Sequence, residues 1–243
     1  MSICPRTAMD QPLSPIRESN TVAKASRGAD AYRVMKEAIR DNVLAPGYHG
    51  SEQEIALELG MSRTPVHEAL IRLQEEGLVR VIPKRGVIVC ALSPNDMREV
   101  YDVIIALEGM AAALTARMTE PERCVVVGAL EIINGAMNGA LRGNDLDAWA
   151  RADDAFHRAL IDRSGNGRLA RLANNIMDQS HRARMMTLRL RPKPTESLKE
   201  HQGIVAAISA GEAERACALA QAHRQRARDE LLPLLDQIGM KRL

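Results

Sequence analysis

Residues 51–89 read SEQEIALELGMSRTPVHEALIRLQEEGLVRVIPKRGVIV. The changes of period inside this run decide the architecture of the N-terminal part. Ser51 and Glu54 have the S-x-x-E spacing of a capping box, in which each side chain takes up a backbone N–H at a helix start. Gly60 supplies the stop, so this helix is barely nine residues long. A second helix begins at Ser62 or Thr64. Pro65 is tolerated in its first turn because a proline there removes an N–H that would have had no partner. Val66, Ala69, Leu70 and Leu73 form its buried stripe, and Gly77 ends it. The continuation LVRVIPKRGVIVCAL reads as two short β-branched strands around a Pro-Lys-Arg-Gly turn, a hairpin.

Upstream, residues 30–44 put Ala31, Val34, Met35, Ala38 and Ile39 at helical spacing, with Asp30 as N-cap and Pro46-Gly47 as the stop. Residues 1–26 hold three prolines and no periodicity, and are expected to form a flexible tail. Helix, short helix, tight turn, helix and hairpin is the order of a winged helix-turn-helix, here over 27–92. Beyond Ser93-Pro94 there is no strand signal and no Gly-rich phosphate loop. Helices are expected at 94–117, 120–142, 145–164, 167–190, 195–210 and 212–236, an antiparallel all-α bundle over 93–236 with a short tail at 237–243. The fold class is therefore mainly α, with one small β-hairpin.

Composition narrows the chemistry. Of 243 residues, 46% are hydrophobic but only five are aromatic, so the core must be aliphatic and base stacking on single strands is disfavoured. The four cysteines show no CxxC spacing, which argues against a disulfide frame or a thiolate zinc site. No secretion signal is evident, and no segment reaches the apolar length of a membrane span, so a cytoplasmic protein is expected. Net charge is +2, and residues 27–92 hold nine Lys/Arg against nine Asp/Glu. That balance opposes nucleic-acid binding, although residues 61–90 alone hold five cations and three acids.

Arg63 and His67 are one helical turn apart at the start of the second short-motif helix, where side chains can reach base edges in a major groove. In the bundle, Asp153 and His157 share one helix face. His201 and His223 flank the Gly211 turn at ten and twelve residues, about 15 and 18 Å along an antiparallel pair, and so nearly level. Three imidazoles and a carboxylate suit a divalent cation, Zn²⁺ foremost, with Ni²⁺ or Mn²⁺ as alternatives. Buried, hydrogen-bonded histidines are the plainer reading of the same residues.

The run 51–89 resembles the N-terminal signature of the GntR family of bacterial transcription regulators. LEGMAAALTA (107–116), DDAFHRALIDRSGN (153–166) and EHQGIVAAISAGEAERACALAQAHRQR (200–226) resemble the FCD effector domain of its FadR-type branch. Six bundle helices suit the vanillate-regulator-like subgroup. The resemblance implies operator contacts from Gln53, Arg63, Thr64 and His67, and from the wing tip Lys84-Arg85-Gly86. It strengthens Asp153, His157, His201 and His223 as a metal set. It also implies a homodimer on palindromic double-stranded DNA and an organic-acid effector, with no membrane association.

This chain departs from the family pattern at several positions. His67 stands where an Arg is usual, and a neutral imidazole cannot make a bidentate guanine contact. Gly50 replaces a Leu. Ile104 replaces an Arg that often faces the pocket four residues before the Glu at 108. The effector's charge must then fall to the metal or to other cations, for which Arg151, Arg182 and Arg184 are candidates. The expected function is a ligand-released repressor of a catabolic operon. A metal-dependent hydrolase, a regulator for which the metal is itself the signal, and a protein-binding scaffold stand as alternatives.

Overall fold

The computed structural model describes residues 18–239, with side chains from Gly28 onward. Its first helix, α1, spans Glu18–Arg40. Residues 18–26 are thus helical where a flexible tail was expected, and Asp30 lies inside the helix instead of capping it. The tail at 1–17 lies outside the described residues. α1 also stops earlier than Pro46, because Asn42 turns the chain with a φ of 57°.

β1 (His49–Gly50), α2 (Glu52–Glu58), α3 (Arg63–Glu75), β2 (Val79–Ile82) and β3 (Gly86–Val89) follow. The Ser51–Glu54 capping box is formed in both directions. The hairpin pairs Val79 with Val89 and Ile82 with Gly86, and a third strand joins it as His49 pairs with Ile88. Two residues are too few to leave a period-2 signal, so β1 was not legible in the sequence. Gly86 makes this junction possible. Its φ is 100°, and a Cβ there would fall 2.6 Å from the Gly50 carbonyl oxygen. Ala31, Met35 and Ile39 of α1 meet Val66, Leu70 and Leu73 of α3 and Val87 and Val89 of the sheet in one apolar core.

The bundle comprises α4 (Pro94–Ala116), α5 (Glu120–Arg142), α6 (Leu146–Asp162), α7 (Gly167–Thr187) with a 3₁₀ turn at Leu188–Leu190, α8 (Thr195–Ser209) and α9 (Ala213–Ile238). Each lies within a few residues of its sequence expectation. α9 covers 237–238, and residues 240–243 lie outside the described residues. Ser93 caps α4 by accepting from the Asp96 N–H, and Pro94 sits in the first turn, where proline is tolerated. One core joins α4, α5, α6, α8 and α9 through Leu130, Met137, Trp149, Phe156, Leu160 and Ile208. One correction concerns α5: contrary to the sequence reading, it is long and apolar enough to cross a membrane by length and composition.

A polar junction ties α1 to the bundle. Arg40 reaches Asp154 at 2.5 Å and Asp178 at 2.9 Å, and Lys36 reaches Asp178 at 2.8 Å and Glu76 at 2.9 Å. Arg158 holds the same two aspartates from the bundle side at 2.8 and 2.6 Å.

Candidate metal centre and nucleic-acid interface

Asp153 and His157 lie one turn apart on α6, facing α8 and α9. The α8–α9 hairpin turns at Gly211, with φ of 74°, and brings His201 level with His223. One ligand atom from each of the four residues lies within 4.8 Å of the others, and all four are buried. His223 Nε2 is 3.2 Å from His201 Nε2 and 3.3 Å from His157 Nε2. Asp153 oxygens stand 3.7 Å from His157 Nε2 and from His201 Nε2.

What surrounds the rings fixes which nitrogen faces inward. His223 Nδ1 donates to Glu200 at 2.6 Å. His157 Nδ1 lies 3.1 Å from Glu108 Oε2, close enough to orient the ring though off the line of a full hydrogen bond. With protons on those Nδ1 atoms, two Nε2 lone pairs point at each other across 3.3 Å. Such a contact is repulsive unless a proton or a cation lies between them. Two ligands bonded to one zinc at ordinary lengths stand about 3.3 Å apart in a tetrahedron. The donor set and its carboxylate-backed histidines therefore fit a divalent metal.

Electrostatics favour the ligating forms. Burial raises the Asp153 carboxyl, but the neighbouring charges, Arg184 foremost, outweigh it and hold it well below the usual carboxylate range. Burial pushes His157 well below its ordinary value, with Arg224 adding to the effect. Burial does the same to His201, aided by His223 and His157. Neutral imidazoles beside a charged carboxylate are what a metal requires.

The sequence reading missed several parts of this centre. Glu108 is 1% exposed and is clamped by Arg224 through two guanidinium–carboxylate contacts. Phe156, the sole phenylalanine, stacks on His201 at 4.1 Å with planes 7° apart. Phe156 stands three residues after Asp153 on α6, a local signal that was not weighed, whereas Glu108 comes from α4 and only the packing of the helices brings it to His157. Of the three candidate pocket cations, only Arg184 reaches the centre, pairing with Asp153 at 2.9 Å. Arg151 lies on the exposed side of α6. Arg182 is fully buried but donates to the Cys90 carbonyl at 2.7 Å, at the seam between wing and bundle. A small cavity whose lining includes Trp149, one turn along α6 from Asp153, and Arg191 is lined by none of the four ligand residues. Trp149 Nε1 and Arg191 Nη2 are both buried without a hydrogen-bond partner.

At the other end, α3 presents its N-terminal face. Arg63 is 68% exposed, and Thr64, His67 and Gln53 are exposed too. Lys84 and Arg85 project from the hairpin turn, which Lys84 enters with φ of 63°. His49 ties that turn to the sheet through the Arg85 carbonyl. Glu52, not singled out in the sequence, accepts from His67 Nδ1 at 2.9 Å and lies 4.0 Å from Arg63.

Comparison with known proteins settles the class. A model of the bacterial regulatory proteins of the gntR family matches residues 28–89, and the FCD domain model matches residues 99–226. The chain belongs to the GntR family of regulators. This GntR protein is 50% identical over 158 residues to an HTH-type transcriptional regulator in the TAR-I ttuE-ttuC' intergenic region of Agrobacterium vitis, covering 64% of this chain and 92% of that protein. It is 29% identical to the HTH-type transcriptional repressor RspR of Escherichia coli K12, over 73% of this chain and 76% of RspR. The solved structure of E. coli McbR/YncC shares the fold with a TM-score of 0.72 at 20% identity, over 88% of this chain and 98% of that one.

Proposed function

We propose that this GntR regulator is a homodimeric repressor that reads palindromic operator DNA with α3 and the wing, and is released when a small organic acid binds beside a divalent metal in the FCD bundle. The observation that carries the sensing half is the convergence of Asp153, His157, His201 and His223. The metal supplies a Lewis-acidic point of attachment for an anionic oxygen. This chain's own residues supply the rest of the pocket. Arg191 Nη2 and Trp149 Nε1, both buried and unpaired, offer donors to a second polar group of the same ligand. A buried donor left without a partner is costly, so an acid that satisfies both is favoured over one that reaches the metal alone.

The reading half follows from tautomer chemistry. Glu52 can only accept, so a neutral His67 carries its proton on Nδ1 and turns the Nε2 lone pair outward. An acceptor in the major groove pairs with the amino group of adenine or cytosine, whereas Arg63 pairs with guanine O6 and N7. The half-site then differs from that of a relative with two arginines on this face.

Signal reaches DNA through α6. Asp153 faces the metal while its neighbour Asp154 holds Arg40 of α1. Arg184 bridges the two sides, pairing with Asp153 and lying 3.4 Å from His181, which in turn lies 3.7 Å from Asp154. A ligand that moves α6 or Arg184 changes how firmly α1 is held, and only differential affinity for the two arrangements can drive that.

The test is operator binding by fluorescence anisotropy, on zinc-loaded protein, across a set of small carboxylic acids. Parent protein should release its promoter fragment with one of them, and His157→Ala should bind the fragment but ignore that acid. A variant that responds like the parent removes the metal from the sensing path. Release by zinc alone favours the metal-as-signal alternative, and turnover of an ester or phosphate would favour the hydrolase.

A further inference from the structure

The cavity between α6, α9 and the segment 188–197 carries a charge that the protein does not balance. Its volume is about 130 Å³, room for roughly four waters. Leu188, Pro192 and Pro194 contribute apolar wall. Five charged side chains also line it, namely Arg191, Lys193, Glu196, Arg226 and Glu230.

Four of the five are engaged elsewhere. Glu230 accepts from Arg226 at 2.5 Å, and Arg226 holds Glu200 through two further bonds at 2.5 and 2.6 Å. Glu196 pairs with Lys199 at 2.6 Å. Lys193 donates to the Asn144 side-chain oxygen at 2.6 Å. Arg191 is the exception. Its Nη2 is buried with no hydrogen-bond partner, and no carboxylate among the described residues pairs with it. Trp149 brings a second orphan donor to the same wall, since it is buried and its Nε1 finds no acceptor.

The two donors ask for different things. An indole N–H is satisfied by any acceptor oxygen. A guanidinium group buried without an anion keeps the desolvation penalty of its charge, and a neutral oxygen relieves only part of that. Burial draws the Arg191 guanidinium below its ordinary value, and the fields of Tyr101, Asp153 and Glu230 do not offset it. That Asp153 and Arg184 act on Arg191 at all puts it within electrostatic reach of the metal centre. Trp149 stands one turn before Asp153 on α6, about 6 Å along the axis.

We infer that the second polar group of the metal-bound ligand is itself an anion, a carboxylate received by Arg191 and Trp149, so that the regulator responds to a short dicarboxylic acid. One carboxylate reaches the metal and the other neutralises Arg191. Two N–H donors from different elements match the two oxygens of that second carboxylate. The size of the cavity keeps the acid short, because four waters' worth of space admits a carboxylate and a few carbons but not an acyl chain. The inference rests on the sensing site proposed above and names the class of ligand that site takes.

Calorimetry on the zinc-loaded full chain, with no DNA present, tests it. The probes are the straight-chain diacids from malonate to adipate and their 2-hydroxy forms, each beside its monomethyl ester. At least one diacid should bind about 10-fold or more tightly than its half-ester, the worth of one hydrogen bond to a charged group. Arg191→Met should bind the two alike, and Arg191→Lys should recover part of the preference. Chelator-treated, ligand-free Arg191→Met should melt no lower than the parent, because it removes a charge that nothing in the protein balances. The inference is overturned if no diacid outbinds its half-ester, or if Arg191→Met keeps the preference. A melting point of ligand-free Arg191→Met well below the parent's also overturns it, since Arg191 would then hold the fold together. A diacid that outbinds its half-ester through Arg191 yet leaves promoter DNA bound would sink the repressor reading alone. A monocarboxylate that releases promoter DNA in a zinc-dependent way, with no diacid preference, would sink this one alone.

Discussion

Glu108 has two roles that one substitution can separate. Its carboxylate neutralises Arg224, which is 1% exposed, and it orients His157 from 3.1 Å. Burial pulls the Arg224 guanidinium down, but Glu108 outweighs it and raises it above its ordinary value. Glu108→Gln preserves shape and removes the charge. Breaking a buried pair costs about 3–5 kcal/mol, and the lower end applies because the new amide oxygen still accepts one of the two guanidinium bonds. About 3 kcal/mol corresponds to a melting point lowered by roughly 6–12 °C for a chain of this size. Loss of the carboxylate behind a ligating histidine should also weaken metal binding about 10- to 100-fold. Chelator-treated protein followed by circular dichroism reads the first effect, and zinc competition with a chelating dye reads the second. Glu108→Gln combined with Arg224→Met removes the stranded charge, so it should recover most of the melting point while leaving the zinc affinity low. If the single variant matches the parent in both measurements, neither the pair nor the second layer of the metal centre works as argued. If the double variant also recovers zinc affinity, Glu108 acts through stability alone.

Other substitutions test other parts. Arg63→Ala should weaken promoter binding by about 1–3 kcal/mol and leave the melting point unchanged, since the side chain is 68% exposed; anisotropy and a thermal melt check the two halves. Lys84→Ala should weaken binding to all DNA alike and lower the slope of log K against log salt by about one. His67→Arg should change which promoter fragments are preferred in a selection from random duplexes. Gly86→Ala puts a Cβ against the Gly50 carbonyl at a φ of 100°. It should destabilise the wing by about 1–3 kcal/mol, seen as faster amide exchange in β1 and β3.

Most of this fold was legible because its elements are long or sharply punctuated. The bundle helices carry full apolar stripes and end at Thr119, Gly143, Gly165 and Gly211, so their boundaries could be read within a few residues. The convergence of Asp153, His157, His201 and His223 was legible because an i, i+4 pair and a near-symmetric hairpin are one-dimensional facts. The start of α1 was not, since its first turns lack the periodic stripe that Ala31, Met35 and Ile39 supply later. Pocket cations were the weakest reading. Arg151, Arg182 and Arg184 differ in direction by rotations about their helices that depend on how α6 and α7 pack, and only Arg184 turned inward. Glu52 escaped because its partner His67 is on another helix. The uncovered side of α5 escaped because its apolar residues run around the whole helix, which reads as core until the bundle shows which half remains uncovered.

The junction between α1 and the bundle explains why a regulator would use charge where an apolar contact would be tighter. Asp154 and Asp178 are nearly buried and are shared among Lys36, Arg40 and Arg158, so neither aspartate belongs to one partner. Pairs of this kind gain little net stability, because desolvation offsets most of the attraction. Their value is directional: Arg158 already holds both acids from within the bundle, so a rotation of α6 that loosened Arg40 would leave neither carboxylate without a cation. In the proposed repressor, the two states then differ by the contacts of Arg40 with these acids, which suits a coupling energy of about 1–3 kcal/mol. Arg40→Met should therefore leave α1 packed through Met35 and Ile39 and leave promoter binding intact, while shrinking the ratio of operator affinities with and without the inducing acid toward one. An unchanged ratio would place the route from ligand to DNA elsewhere.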